Sequence, residues 1–138
     1  MTPELSESDA ARFRAFERTR YHALAKSYDN FFTPVTANAI APLLKAVRLK
    51  EGDKLLDVAC GSGALAAAAR EQSAQATGID LTPGMLALAK ARHPGIDFRE
   101  AEVEHLPFPD APSTWWRATS ASAIFPFPSA PSRNARAC

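Results

Sequence analysis

A glycine-rich turn and three acidic residues carry the chemistry that this sequence can support. Gly61-Ser62-Gly63 follows a short apolar run that ends near Val58, and Ala64 opens an alanine-rich, helix-forming segment. A turn from strand to helix leaves backbone N–H groups free at the positive end of the helix dipole, where they can face a ligand. Glycine avoids a Cβ that would block the turn or the approach of the ligand. The pattern predicts a nucleotide-type site, with a tight turn that binds nothing as the alternative.

Each of the three acids lies at the end of a predicted strand. At Asp80, after the second strand, a carboxylate can accept hydrogen bonds from both ribose hydroxyls or act as a charge at the start of the next helix. Glu102 follows the third strand. Asp57, near the end of the first strand, would repel a pyrophosphate and suits a cationic ligand such as a sulfonium or an ammonium. Because the carboxyl ends of parallel strands meet at one edge of the sheet, these acids and the turn are predicted to line one crevice.

Two uncharged side chains are further candidates for contact with a ligand. Tyr28 lies near the end of an aromatic helical stripe that indicates packing, and its phenol could reach the mouth of the site. Met85 lies one turn into the helix after Asp80, where it packs either against an adenine face or within the core.

The elements that position these residues follow from periodicity and breakers. An N-terminal helix capped by Ser6 or Ser8 carries the aromatic stripe, Pro34 restarts the chain, and a second helical stripe runs from Ile40 to Val47. The predicted strands are Lys54–Ala59, Ala76–Asp80 and Ile96–Glu100, and the predicted helices between them are Ala64–Arg70 and Pro83 to about Arg92. This alternation predicts an α/β fold with a parallel sheet and right-handed crossovers.

Composition excludes several classes of protein. The 138 residues allow one modest domain, and a net charge of +1 with mixed signs predicts no nucleic-acid-binding face. No apolar run approaches the roughly 20 residues of a membrane span. The acidic, polar start (Met1–Asp9) does not resemble a signal peptide, and Cys60 and Cys138 make no disulfide framework. These features predict a cytoplasmic protein, and no pattern indicates a metal site.

Three segments resemble the class I S-adenosylmethionine-dependent methyltransferases. Leu55-Leu56-Asp57-Val58-Ala59-Cys60-Gly61-Ser62-Gly63 resembles their first motif, and Gly78-Ile79-Asp80-Leu81-Thr82-Pro83-Gly84-Met85 resembles the next one. Ala101 to Asp110 resembles the acid and Leu-Pro-Phe segment of the ubiquinone/menaquinone methyltransferase-like branch. The resemblance covers about Tyr21 to Asp110. It implies the N-terminal half of a doubly wound, mostly parallel Rossmann-like sheet with an N-terminal helical cap.

The resemblance also implies the cofactor S-adenosylmethionine and methyl transfer to a small-molecule acceptor. Asp57, Gly61 and Gly63 would surround the methionine part, Asp80 would hold the ribose, and Met85 would flank the adenine. Glu102 and Val103 would recognise the adenine amino group and ring edge. The complete predicted cofactor-binding set is Tyr28, Asp57, Ala59, Cys60, Gly61, Ser62, Gly63, Asp80, Leu81, Met85, Glu102 and Val103. Ala59 stands where the family usually has glycine and Glu102 where it usually has aspartate; no catalytic residue is assigned.

The composition changes at Ala111. Residues 111–138 hold three arginines and no acid, which predicts a disordered, non-family tail after a helical cap (1–50) and a partial α/β domain (51–110). The family's fourth strand, typically Phe-Asp-Val-Val, is absent there. Read one base earlier, the codons for Pro112–Phe125 can encode a segment that begins Phe-Asp-Val-Val-Ala-Ser-Asn-Phe-Gly, so we expect a frameshifted, truncated methyltransferase. With its first strand at a sheet edge, the chain is expected to be inactive and aggregation-prone.

Two other functions fit parts of the sequence. Gly61-x-Gly63-x-x-Ala66 followed by Asp80 also satisfies the dinucleotide fingerprint of a nicotinamide-dependent oxidoreductase, which Asp57 and the Leu-Pro-Phe segment disfavour. A non-enzymatic product of gene decay, or a fragment that binds a partner, is the alternative of another class.

Overall fold

A single helix of 40 residues, α1 (Glu7–Ala46), forms the N-terminal part of the protein. The computed structural model describes residues 6–102, residue 105 and the backbone of residues 117–119. Ser6 is the N-cap of α1, as predicted, and its hydroxyl accepts the N–H of Asp9. The predicted restart at Pro34 is wrong, because Pro34 and Pro42 both lie inside the helix. A proline inside a helix cannot donate a backbone hydrogen bond to the preceding turn. Helix α1 is nevertheless packed on the domain on both sides of Pro34, by Ala25 before it and Leu44 after it.

The rest of the described chain alternates strands with helices. Its elements are β1 (Lys54–Val58), α2 (Ala64–Glu71), β2 (Gln75–Asp80), α3 (Pro83–Arg92), β3 (Asp97–Glu100) and β4 (Arg117–Thr119). The strands form one parallel sheet in the order β3-β2-β1-β4. The predicted α/β fold with a parallel sheet and an N-terminal helix is confirmed.

The register of the sheet brings the carboxyl ends of the strands together. Val58 of β1 pairs with Ile79 of β2, and Asp80 of β2 pairs with Glu100 of β3. The turn after β1 and the ends of β2 and β3 therefore meet at one edge, as parallel strands require.

Two apolar clusters pack the helices against the sheet. One joins the end of α1 to β1 and α2, with Leu44, Leu55, Leu65, Ala69 and Ala74 as its buried members. The other lies between α2, α3 and β3 and contains Cys60, Ala66, Leu86, Ala89 and Phe98. Helices α2 and α3 are thereby held against the sheet with their first turns at the edge where the acids lie.

The aromatic stripe of α1 faces outward, so the prediction that it packs is wrong for most of its members. The large apolar side chains that stay exposed are Phe13, Phe16, Leu24, Phe31, Phe32 and Val35. The face of α1 that packs on the domain uses Ala25, Asp29 and Leu44 instead. Helix α1 packs this face on the domain because both helices have a small residue at their contact. A Cβ on Gly84 of α3 would lie only 3.1 Å from the Cβ of Ala25 on α1. The helices approach more closely there than bulky aromatics would allow.

The fourth strand is present, contrary to prediction. β4 pairs in parallel with β1, with Leu55 opposite Arg117 and Asp57 opposite Thr119, so β1 is a central strand rather than an edge. The segment Arg-Ala-Thr has little strand pattern of its own, and the pairing arises because the free side of β1 presents unpaired backbone groups. The predicted disorder covers residues 111–138 and the predicted change of reading frame covers Pro112–Phe125, and in both ranges all residues but 117–119 lie outside the described residues. Within the described part, no helix has the length and apolar character needed to cross a bilayer.

Candidate functional site

The turn between β1 and α2 has left-handed backbone at three of five positions. Ala59, Gly61 and Gly63 have φ values of 57°, 54° and 86°. The N–H of Cys60 donates to the carbonyl of Ile79 at 2.9 Å, and the N–H of Gly63 donates to the carbonyl of Cys60 at the same distance. A left-handed conformation costs a residue with a Cβ about 1 kcal/mol or more, which explains why glycine is the usual residue at position 59 in the resembled family.

The two glycines of the turn are required for different reasons. A Cβ on Gly63 would lie 2.6 Å from Cζ of Phe98, so Gly63 is needed for packing against β3. A Cβ on Gly61 would have no neighbour within 4 Å, so the space beside Gly61 is open. The close approach of a ligand inferred from the sequence is therefore compatible with Gly61, whereas Gly63 is explained by the core.

Asp57 is completely buried beneath this turn. Its Oδ2 accepts the N–H of Ala66 at 3.3 Å, and its Oδ1 has no hydrogen-bond partner among the described residues. Burial raises the pKa of Asp57 to about 8, the hydrogen bond from Ala66 opposes this rise, and the charge of Asp80 adds to it. A buried acid with an unused oxygen is costly by itself, and a cation or donor placed against Oδ1 would offset that cost.

Asp80 connects the turn to the start of α3. Its Oδ2 accepts the N–H of Gly61 at 2.9 Å, and its Oδ1 accepts the N–H of Thr82 at 2.8 Å. Burial raises the pKa of Asp80, while hydrogen bonds from Gly61, Thr82 and Leu81 favour the charged form. The hydrogen bond to Thr82, the N-cap of α3, agrees with the alternative role of Asp80 as a charge at the start of that helix. Each carboxylate oxygen keeps a further lone pair, so the predicted ribose contact stays open to both of them.

Tyr28 of α1 is half-buried and lies close enough to Asp80 to interact with its charge. Its ring stacks on Phe32 with centroids 4.5 Å apart and meets Tyr21 edge-on at 5.3 Å. Burial is the main cause that raises the pKa of Tyr28, followed by Tyr21 and the charge of Asp80. The structure therefore brings the predicted N-terminal tyrosine towards the strand edge that carries Asp80.

The other predicted residues occupy mixed surroundings. Met85 is buried at 4% exposure, Leu81 is half-buried, and Ser62 is buried within the turn. Cys60 contributes backbone to the turn, but its side chain lies in the core, where burial above all raises the pKa of the free thiol. Val103 lies outside the described residues.

Glu102 already has two partners within the chain. Its Oε1 lies 3.5 Å from Nε of Arg14 on α1, and its Oε2 lies 3.6 Å from Nδ1 of His105. On α1, Arg18 contacts the preceding strand acid, Glu100, at 2.7 Å. The helical cap thus reaches the end of β3, where the adenine-recognising acid is predicted.

Sequence reasoning missed one buried acid of the cap. Asp29 is 2% exposed, pairs with Nη1 of Arg92 at 2.5 Å and accepts the hydroxyl of Thr33 at 2.6 Å. Burial alone would raise its pKa, but hydrogen bonds from Ser62, Thr33 and Arg92 outweigh burial and hold the pKa of Asp29 below its ordinary value. The available signal was a carboxylate within an aromatic stripe, because a buried aspartate is nearly always paired.

Together, these groups form a site suited to a ligand with both a cation and hydroxyl groups. Asp57 offers an unused buried oxygen, Gly61 borders open space, and Asp80 retains acceptor capacity at the same edge. Among the described residues, no cluster of three His, Cys, Asp or Glu side chains could hold a metal ion.

Comparison with known proteins identifies curated relatives in quinone biosynthesis. Over 93 residues the chain is 42% identical to a demethylmenaquinone methyltransferase from Chlorobaculum parvum, which covers 64% of this chain and 36% of that protein. It is 36% identical over 106 residues to the ubiquinone/menaquinone biosynthesis C-methyltransferase UbiE of Bartonella tribocorum, covering 65% of this chain and 40% of that protein. The chain thus spans well under half the length of these two relatives.

A solved structure shares the fold of this chain, and a family model matches more than half of its length. A TehB-like SAM-dependent methyltransferase from Corynebacterium glutamicum shares the fold, with a TM-score of 0.60 and 21% identity over 74% of this chain and 56% of that one. Residues 55–133 match the family described as methyltransferase domain, so the match continues past residue 110, where the sequence-based resemblance ends. The predicted resemblance to class I S-adenosylmethionine-dependent methyltransferases is confirmed, and the chain belongs to the methyltransferase domain family.

Proposed function

We propose that this site binds S-adenosylmethionine and serves transfer of its methyl group to a small-molecule acceptor. The observation that carries the proposal is the buried Oδ1 of Asp57, which has no hydrogen-bond partner among the described residues, in a chain whose glycine turn leaves open space beside Gly61. A neutral ligand would leave this carboxyl with its burial cost, whereas a cationic amino acid would convert it into a charge-assisted hydrogen bond. The cofactor, when bound, supplies a methyl group activated by its sulfonium.

The proposed roles follow the edge of the sheet. Asp57 and the turn from Ala59 to Gly63 hold the methionine part, and Asp80 accepts the ribose hydroxyls with the lone pairs that the backbone leaves free. Tyr28 closes the site from α1. Leu81, Met85, Glu102 and Val103 complete the adenine end. Methyl transfer by in-line displacement needs these groups mainly to position the reactants.

Glu102 must exchange partners to fulfil its proposed role. Its carboxylate lies against Arg14 and His105, and the Arg14 contact of 3.5 Å is long for an ion pair. A side chain that is about one-third exposed can rotate between these cations and an adenine amino group at small cost.

The acceptor is proposed from the relatives' names rather than from the site. Demethylmenaquinone and ubiquinone precursors are the first acceptors to assay, because the two relatives described above are named for that chemistry. We also propose a cytoplasmic location and no nucleic-acid partner. The free, buried thiol of Cys60 and the net charge of +1 support these two assignments.

Calorimetry with S-adenosylhomocysteine and NAD tests the proposal on the purified 138-residue chain. We expect S-adenosylhomocysteine to bind and NAD to bind more weakly or not at all, because Asp57 disfavours a pyrophosphate. Tighter binding of NAD, or no binding of S-adenosylhomocysteine by a folded chain, would overturn it. A methyl-transfer assay on quinone precursors then addresses the acceptor.

A further inference from the structure

Asp29 links three elements around the glycine turn. It lies in the middle of α1, pairs with Arg92 in the last turn of α3, and accepts the hydroxyl of Thr33 one turn further along α1. Oγ1 of Thr33 lies 3.3 Å from Oγ of Ser62, the central residue of the turn. A buried carboxylate on the helical cap is thereby connected to the backbone that borders the proposed ligand.

The donors in this chain of hydrogen bonds can be assigned. A threonine hydroxyl has one hydrogen, and Thr33 uses it on Oδ1 of Asp29 at 2.6 Å. In its 3.3 Å contact with Ser62, Thr33 can therefore only accept, and the single hydroxyl hydrogen of Ser62 points towards Thr33 or towards the carboxylate of Asp29, whose pKa it lowers. The side chain of Ser62 is therefore directed towards α1 by Asp29 and Thr33 together.

Ser62 is the position at which such a connection matters most. Its neighbours Gly61 and Gly63 have no side chains. Both have left-handed backbone, and glycine can change between left-handed and other conformations at little cost. The hydroxyl of Ser62 is thus the only side-chain group with which the three-residue turn can hydrogen-bond, in addition to the backbone N–H of Gly61 that Asp80 accepts. A turn held in one conformation binds a ligand at a lower entropic cost than one that must be ordered.

We propose that Asp29 and Thr33 are positioning residues that hold the glycine turn in its cofactor-binding conformation through Ser62. The inference rests on the proposed function, since it concerns the same site. It goes further by giving the N-terminal helix a role in affinity for the methionine part, separate from any contact of Tyr28. Arg92 neutralises Asp29 from the far side and leaves its second oxygen to the hydroxyls.

Valine at position 33 separates this role from general packing. Thr33→Val keeps the shape of the side chain and leaves the pair between Asp29 and Arg92 intact, while it removes the hydroxyl. Thr33→Ser keeps the hydroxyl and removes a methyl group. Thr36→Val is the matched control, because Thr36 is another half-buried threonine of α1 whose hydroxyl donates to the carbonyls of Phe32 and Thr33 rather than to the turn.

Calorimetry with S-adenosylhomocysteine on the full chain tests the proposal. We expect Thr33→Val to weaken binding about 3- to 10-fold, as one lost hydrogen bond would, and Thr33→Ser and Thr36→Val to stay within about twofold of wild type. Amide hydrogen exchange at Ser62 should become faster in Thr33→Val alone. Ser62→Ala removes the hydroxyl at the other end of the connection and should weaken binding by a similar factor. The double variant that combines Thr33→Val with Ser62→Ala should bind no more weakly than either single variant.

The outcomes separate the positioning role of Asp29 and Thr33 from the proposed function. Wild-type affinity in Thr33→Val or Ser62→Ala, or an equal loss in Thr33→Ser, would overturn the positioning role while the proposed function stands. Additive losses in the double variant would do the same. Absence of binding by the folded wild-type chain would instead overturn the proposed function, and the positioning role with it.

Discussion

Replacing Asp57 with asparagine should change how the stability of the chain depends on pH. In the unfolded chain Asp57 loses its proton near pH 4, whereas burial keeps it protonated in the folded chain up to about pH 8. Between these values the folded state binds the extra proton. The free energy of unfolding therefore falls as the pH rises from about 5 to 8, and it levels off above the folded pKa.

The size of the effect follows from linkage. One proton taken up on folding gives a slope of at most about 1.4 kcal/mol per pH unit. The raised pKa of Asp80 acts in the same direction. The lowered pKa of Asp29 acts in the opposite direction, and its stabilisation is lost only as the pH falls below about 4, outside this interval. Asp57→Asn removes the Asp57 contribution alone.

Urea denaturation of wild type and Asp57→Asn at pH 5, 6, 7 and 8 measures the difference. We expect a shallower slope in the variant and a relative gain in its stability at pH 8. Asp97→Asn is the control, because the carboxylate of Asp97 is exposed on β3. Parallel slopes for wild type and Asp57→Asn would refute the conclusion that burial keeps Asp57 protonated. Binding of S-adenosylhomocysteine should release a proton near pH 7 in wild type, which calorimetry in buffers of different ionisation enthalpy detects.

Four further substitutions test separate features of the site and the cap. Gly61→Val should abolish binding of S-adenosylhomocysteine in a chain that still folds, because the added side chain enters open space that the ligand needs. Gly63→Ala should instead destabilise the fold in urea denaturation, because its Cβ would collide with Phe98. Asp80→Ala should weaken binding by about 1–3 kcal/mol in calorimetry, since a charged acceptor is lost. Phe31→Ser should leave the free energy of unfolding within about 0.5 kcal/mol of wild type in urea and raise the solubility limit, because Phe31 is 77% exposed.

Each of these expectations has a contradicting result. Normal binding by Gly61→Val would mean that the turn is merely structural, and full stability of Gly63→Ala would mean that Phe98 can move aside. Unchanged affinity of Asp80→Ala would remove Asp80 from the site. A loss of more than about 1 kcal/mol in Phe31→Ser would show that α1 buries its aromatic face.

The sequence by itself determined the order of strands and helices and the sheet edge at which the candidate site is proposed. Periodicity and breakers are local signals, so β1, α2, β2, α3 and β3 are found within a few residues of their predicted ends. A parallel sheet then requires that Asp57, Asp80 and the glycine turn meet at one edge. The family follows from the same segments, because their motifs are short and contiguous.

Only the tertiary structure decided which distant groups touch. The continuity of α1 through Pro34, the pairing of β4 with β1 and the need for glycine at 63 depend on partners far along the chain. The connection from Asp29 through Thr33 to Ser62 spans more than thirty positions and two elements. Local propensity carries no information about such contacts, because their free energy comes from packing and desolvation that exist only once the elements have come together.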